Sequence, residues 1–570
     1  MKFVTKKGSQ ALERLASGAE QLLEAVGSTL GPAARTSAIF KRDFRPRLGW
    51  SDISSIFSSD GADLSAHFYV GDPFEQVAVD LLSEAARDTA AEVGDGTTST
   101  VILAASMFIE GAKLVAAGHL PQKLVRGIQL GVQESVNFIR ERARAITETS
   151  DLMGIARSAS RGHFSEADAV LEGFQAAGAE GYVELGWKGG VAPPCVVISQ
   201  HCELSGSVLA SAGISFSPEG TYELGTPSLV FVEEPIGSSD QLRPLELLIE
   251  GASSPLVICV RQFSDFEQKA KSTGLTNSLL LLARRNNVKL LLVTSTDSGN
   301  WSDAAAYSGT RSLPSVPSKI DGGAVGSVSR LSCSGSKIRL FGPRVDSEAY
   351  LNKLTYLRER CQSAPESLPG SAKLHSAFDD QDDRYNERAT DGVDAQRRLA
   401  VLVGKHVRVV FSGPQSSHRR EVKDCMKNVL RSLMTARAGG WIPGGGEMFL
   451  RAARHLGSCE CAEPDRFGVS VVRRALTQPL RWVASNAGKE PTTVAEEVSE
   501  LAEGTGYDAH SEAYVDLAKA GIIDAAGTAV AVLRNSANTA CFLLGISTVV
   551  GTVSGEEDLS DHDLSHMVRR

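Results

Sequence analysis

Residues 93–100 read Val-Gly-Asp-Gly-Thr-Thr-Ser-Thr, and these residue types at this spacing suit phosphate and metal chemistry. Gly94 and Gly96 let the backbone approach a ligand closely. Thr97, Thr98 and Ser99 open a helix whose first N–H groups lack intrahelical partners and, with the helix dipole, favour an anion. Their hydroxyls add donors for phosphate oxygens, and Asp95 is a hard oxygen ligand suited to Mg2+. A nucleotide-phosphate site is one reading. A plain glycine stop followed by a threonine N-cap is the other, and these residues alone fit both.

Helices must flank this turn. Val77, Leu81, Ala85 and Ala86 recur at helical spacing before it, and Val101, Ile102, Ala105, Phe108 and Ile109 after it. Leu12, Leu15, Ala19, Leu22, Leu23 and Val26 predict an amphipathic helix over 12–26, which ends at Ser28-Thr29-Leu30-Gly31-Pro32. A polar segment with Arg45, Pro46, Arg47 and Gly49 leads to a turn at Ser58-Ser59-Asp60-Gly61. From there to about residue 147 the pattern is helical. The middle differs: runs at 228–232, 256–260 and 288–293 alternate with helical patterns at 240–251 and 266–286, which predicts an α/β domain with a parallel core. Ser and Gly dominate 294–336, suggesting exposed loops. The acidic cluster Asp379, Asp380, Asp382 and Asp383 reads as a solvated or mobile insert. Val422, Cys425, Met426, Val429, Leu430 and Leu433 form the buried stripe of a helix over 421–437, which leads to Gly444-Gly445-Gly446. Helical ends around an α/β middle imply one domain assembled from both termini.

The bulk properties exclude several classes. The chain has 570 residues, 42% hydrophobic and 22% charged, within the range of soluble globular proteins. Its net charge of −9 is not a nucleic-acid footprint. Nine cysteines without a CxxC pair read as free thiols in a reducing compartment; Cys459-x-Cys461 lacks the partners of a zinc site. The N-terminus lacks the apolar core of a secretion signal, and no stretch reads as a membrane span. Soluble and cytoplasmic is the resulting expectation.

Five pieces occur in order: Thr29-Leu30-Gly31-Pro32, Asp60-Gly61, Gly94-Asp95-Gly96-Thr97-Thr98, Gly444-Gly445-Gly446 and Gly521-Ile522-Ile523-Asp524. Ala116-Ala117-Gly118, Arg126-Gly127-Ile128, Pro479-Leu480-Arg481 and Asn486-Ala-Gly-Lys-Glu-Pro491 accompany them. The series resembles a group I, GroEL-type chaperonin over nearly the whole chain, strongly in the terminal thirds and faintly in the middle. Such divergence suits a paralogue or a virus-encoded member. The resemblance implies a multi-domain α and α/β fold: a mostly helical equatorial domain from 1–141 and 438–570, a small intermediate domain from 142–198 and 406–437, and an α/β apical domain over 199–405. It implies an ATPase that binds unfolded client proteins in a homo-oligomeric, heptameric ring, single or double, and leaves the need for a co-chaperonin lid open. Neither nucleic acid nor membrane is an implied partner.

By the same resemblance, Thr29, Leu30, Gly31 and Pro32 line the phosphates of ATP, with Thr29 helping to hold K+. Asp95 binds Mg2+, and Gly96, Thr97, Thr98 and Ser99 cradle the β- and γ-phosphates. Gly445 packs on the ribose, Asp524 holds its hydroxyls, Ile522 lies near the base, and Asp508 stands on the adenine side. Departures accompany these matches. Ser59 replaces the family's lysine, and Asp508-Ala509-His510 replaces Asn-Ala-Ala. Asn428, sixteen positions before Gly444, stands where the family has the aspartate that activates water. An amide can orient a water but cannot take its proton. Asp424, one turn earlier and about 6 Å away by helix geometry, and Asp60 are the carboxylates left to act. Slow hydrolysis is expected, and a ring paralogue with little or no turnover is the alternative. On the client side, Gly206–Ala212 lacks the family's aromatics, and Arg243 and Glu246 interrupt Leu242, Leu245, Leu247 and Leu248. Leu245, Leu280 and Leu281 are the candidate client contacts, with core packing the competing role for all three.

Overall fold

Small residues let the first helices pack closely: a Cβ on Gly18 would run into the carbonyl of Glu75. The computed structural model describes residues 2–34, 37–44, 51–58, 61–190, 192–217, 220–236, 241–261, 273–295, 298–363, 387–413, 417–459 and 461–553. Asp60, the segment 45–49 and the acidic cluster at 379–383 lie outside them. The chain divides into two compact units, one of Met1–Leu171 with Gln415–Arg570, the other chiefly of Glu172–Glu366 and Lys373–Pro414.

The first unit begins with β1 (Lys2–Lys7), α1 (Ser9–Gly27), an antiparallel hairpin β2 (Ser37–Phe44) and β3 (Ser51–Ser58), then α2 (Gly61–His67). Three long helices follow: α3 (Pro73–Val93), α4 (Thr97–Ala116) and α5 (Pro121–Arg142); then come α6 (Thr149–Ala159) and α7 (Phe164–Ala177), which leads into the second unit. Of these elements, the residue pattern predicts neither β1 nor the hairpin, and it stops short of α6 and α7. By length and composition α4 is apolar enough to cross a membrane, which corrects the expectation that no segment qualifies. Its Val101, Ile102, Met107 and Phe108 are instead fully buried in the core of this unit.

In the second unit, β4 (Tyr182–Lys188), β5 (Cys195–Ser199), β6 (His201–Ser205), β7 (Ser207–Ala212) and β8 (Thr221–Gly225) precede β9 (Ser228–Val232), α8 (Leu242–Glu250), β10 (Leu256–Val260), α9 (Thr273–Arg285) and β11 (Leu290–Thr294). Strands β9, β10 and β11 are parallel, as the alternation of apolar runs and helices predicts, within a five-stranded sheet bordered by β7 and by β12 (Gly326–Ser327), in the order β12-β9-β10-β11-β7. The residues expected to be loops contain a helix, α10 (Ser298–Tyr307), and the strands β12 (Gly326–Ser327) and β13 (Arg330–Ser334). Burial drives that helix: Trp301 is fully enclosed and meets Phe231 edge-on at 5.3 Å. β14 (Lys337–Phe341), α11 (Glu348–Ser363), α12 (Glu387–Leu402) and β15 (His406–Ser412) complete the unit.

The chain re-enters the first unit at α13 (Ser417–Gly439), whose expected stripe from Val422 to Leu433 is buried. β16 (Trp441–Pro443), α14 (Glu447–Ser458), α15 (Glu463–Ala475), α16 (Gln478–Asn486), α17 (Pro491–Glu500), β17 (Thr505–Asp508), β18 (Ala513–Asp516), β19 (Ile523–Ala525), α18 (Ala526–Gly545) and β20 (Thr548–Val553) follow. β20 pairs antiparallel with β1, so residues from the two ends of the chain share one sheet. The motif Arg126-Gly127-Ile128 marks the crossing of α5 and α15. A Cβ on Gly127 would lie 2.3 Å from the Asp465 carbonyl, and Arg126 grips the Asp465 carboxylate at 2.7 and 2.9 Å.

Candidate nucleotide site

Two left-handed glycines build the central turn. Gly94 (φ 79°) closes α3 and Gly96 (φ 81°) opens α4, a backbone region costly for any residue with a Cβ. Asp95 Oδ1 accepts the Gly96 N–H at 2.7 Å, which fixes the carboxylate over the turn. No side chain caps the N-terminus of α4. The hydroxyls of Thr98 and Ser99 are half-buried and have no hydrogen-bond partner among the described residues. Uncapped amides and unengaged hydroxyls around a carboxylate are what an anion with its metal requires.

Gly61, Asn428 and Asp524, on separate elements, lie beside this turn. Gly61, the residue after Asp60, approaches Thr98 so closely that a Cβ there would meet Thr98 Oγ1 at 2.3 Å. Helix α13 lies against Gly94, with the Asn428 carbonyl 3.1 Å from where a Gly94 Cβ would be. The Asn428 side chain is half-buried and has no hydrogen bond among the described residues. Asp424, in contrast, is exposed and pairs with Lys427 at 3.8 Å. Across the turn, Gly444 backs onto Asp524, whose carboxylate oxygen is 3.1 Å from a Gly444 Cβ. Gly445 faces Ile522 and the carbonyl of Tyr507, each 3.8 Å from its Cβ position.

Asp524 and Asp95 are near enough for their charges to interact. Burial and the negative charge of Asp95 push the Asp524 carboxyl up to about 7, against the opposing hydrogen bond from Ser158 Oγ at 3.4 Å. Neither carboxylate has an ion pair among the described residues. Among the described residues no cluster of three or more such ligands forms a metal site by itself, so a divalent ion here would rest on Asp95 and on oxygens of its own ligand.

The Thr29–Pro32 loop is shaped by a residue to which its own motif assigns no role. Asn486 Nδ2 donates to the carbonyls of Gly27 (2.9 Å) and Leu30 (2.8 Å). Thr29 is buried, and its hydroxyl donates to the Val26 carbonyl at 2.7 Å, leaving its oxygen lone pairs. Asp508 is occupied locally: Oδ1 accepts the His510 N–H and Oδ2 the Ser511 hydroxyl at 2.6 Å. A buried ion pair is equally silent in the sequence. Arg451 bonds Glu447 at 2.7 Å and donates to four main-chain carbonyls between Val498 and Ala502, tying α14 to the end of α17. The i, i+4 spacing is its only visible signal.

The profile of the TCP-1/cpn60 chaperonin family matches residues 22–174 and 289–554, which include every motif of this site. The chain belongs to the TCP-1/cpn60 chaperonin family. A relative named Chaperonin GroEL 1, from Rhodopirellula baltica (strain DSM 10527 / NCIMB 13988 / SH1), is 27% identical over 555 residues, covering 96% of this chain and 92% of its own. This chaperonin is thus a distant GroEL homologue, as a divergent group I member would be. The unmatched stretch 175–288 holds all three candidate client-contact leucines. Of those candidates Leu245 must be withdrawn as a surface residue, since it is fully buried in the apolar core under α8. Leu280 is half-buried against the same core and Leu281 is 64% exposed. Leu247, 46% exposed, is the accessible leucine of α8, beside the Arg243–Glu246 pair at 3.3 Å.

Proposed function

We propose that this protein is an ATP-dependent chaperonin that binds non-native polypeptides and assists their folding inside a ring-shaped chamber. The observation that carries this reading is the Gly94–Ser99 turn, with its uncapped helix, unengaged hydroxyls and paired acids Asp95 and Asp524. In this reading Asp95 holds Mg2+, which neutralises phosphate charge. Thr97, Thr98, Ser99 and the Gly96 backbone bind phosphate oxygens; Thr29 to Pro32 close the other side and Thr29 supplies an oxygen for K+. Asp524 accepts ribose hydroxyls beside Gly445, with Ile522 and Asp508 toward the base. Asn428 orients the attacking water through its amide carbonyl, and Asp60, next to Gly61 on Thr98, takes the proton.

An equatorial domain of 1–141 with 438–570, an intermediate domain of 142–198 with 406–437 and an apical domain of 199–405 are the domains we assign, in a cytoplasmic ring. The paired termini and the β2–β3 hairpin support assembly, because isolated two-stranded sheets are marginal in water and gain from pairing with another subunit. Leu281 and Leu247 offer apolar client contacts. Asn428 and the surface-paired Asp424 favour a second reading, a regulatory ring component with little or no hydrolysis. Steady-state phosphate release, alone and with a denatured client, separates the two. Release above background that rises with client supports the chaperonin; none supports the regulatory component. Electron microscopy with and without ATP tests the ring and its movement.

A further inference from the structure

Away from the nucleotide turn, the first unit holds a second cavity of about 840 Å³, bordered by α1, α4 and α14 to α17. Its walls are basic in a protein whose net charge is −9. Lys113, Arg454, Arg473, Arg474 and Arg481 line it, against the carboxylates of Glu20, Glu110 and Glu496. Local pairing leaves much of this positive charge available. Glu110 takes both Lys113 (2.7 Å) and Arg474 (2.8 Å). Arg481 and Arg454 donate to neutral oxygens, of Thr492 and Ser499. Arg473 is exposed and makes neither an ion pair nor a hydrogen bond among the described residues. Glu20 and Glu496 likewise have no cation within ion-pair distance among them. Each guanidinium carries five N–H donors, so most of those on Arg454, Arg473 and Arg481 remain unspent.

From this we infer that the cavity binds a multiply charged phosphate compound at a site separate from the nucleotide turn. Guanidinium forks match the geometry of phosphate oxygens, and several of them in one cavity select a ligand with more than one phosphate. The volume lies in the range of open clefts that take a small molecule. Leu23, Ile109 and Leu450 add apolar wall between the charges. A linear polyphosphate and a nucleoside polyphosphate share this chemistry and differ in what they gain from that wall.

Titration calorimetry on the full-length protein tests the site, with saturating ADP and excess Mg2+ filling the nucleotide turn. Inorganic tripolyphosphate is the probe in one arm and UTP in the other. A further ligand per subunit is expected, weakening as salt is raised. Arg473→Glu is expected to lower its affinity by at least about tenfold while leaving ADP binding unchanged. The milder Arg473→Gln, which keeps side-chain length, must unfold cooperatively like wild type and shift affinity in the same direction. Tighter UTP assigns the cavity to nucleoside phosphates, and tighter tripolyphosphate to linear ones. If ADP itself does not bind, tripolyphosphate binding that survives Asp95→Ala but not Arg473→Glu still reports this cavity. No added ligand in either arm, or full affinity in the Arg454→Glu, Arg473→Glu double variant, overturns the inference.

Discussion

The main-chain carbonyl of Asn428 lies 3.1 Å from the point where a Cβ on Gly94 would sit. Helix α13 therefore packs its main chain against the Gly94–Ser99 turn, which brings position 428 beside the proposed site. A carboxylate there could take a proton from water; the amide cannot. Asn428→Asp should therefore raise steady-state phosphate release, by up to about a hundredfold if the new carboxylate is a better-placed base than Asp60. An unchanged rate would mean that another step limits turnover or that position 428 does not meet the attacking water.

Asn486 bridges two carbonyls, those of Gly27 and Leu30, at the Thr29–Pro32 loop. Asn486→Ala leaves both without that donor, at a cost of about 1–3 kcal/mol if water cannot replace it. Thermal unfolding should show the loss, and ATP affinity should fall with it because the loop is no longer held. Lower stability with unaltered affinity would separate the loop from the nucleotide.

In the proposed site the ionised carboxylate of Asp524 accepts ribose hydroxyls, and burial with the charge of Asp95 raises that carboxyl to about 7. Below that pH it must lose a proton before binding. ADP affinity should therefore rise between pH 6 and 8, approaching tenfold per unit at about pH 6 and levelling above the shifted value. Asp524→Asn should bind more weakly and flatten the profile. A slope that persists in Asp524→Asn assigns the proton elsewhere.

Much of this site is legible in the order and spacing of its residues. The period of Val422 to Leu433 defines the buried face of α13, and the two glycines around Asp95 mark a break between helices. What stays hidden is long-range or weakly patterned. Asn486 acquires its role only because α16 returns to the end of α1, a contact across more than 450 residues. The β2–β3 hairpin places apolar residues in adjacent pairs, Ile39-Phe40 and Ile56-Phe57, rather than in alternation. Helix α10 hides in a Ser- and Gly-rich stretch because few residues anchor it, Trp301, Tyr307 and the alanines 304–306. Leu245 and Leu247 are indistinguishable by type, and only the placement of α8 on its sheet buries one and exposes the other.

Calorimetric titration of ATP with Mg2+ into wild type and Asp95→Ala tests the central claim most directly. Metal-dependent binding by wild type, weakened about a hundredfold or more by loss of the carboxylate, is the expected result. No binding by wild type, or equal affinity in the two proteins, would contradict the assignment of the Gly94–Ser99 turn as the site that holds the nucleotide.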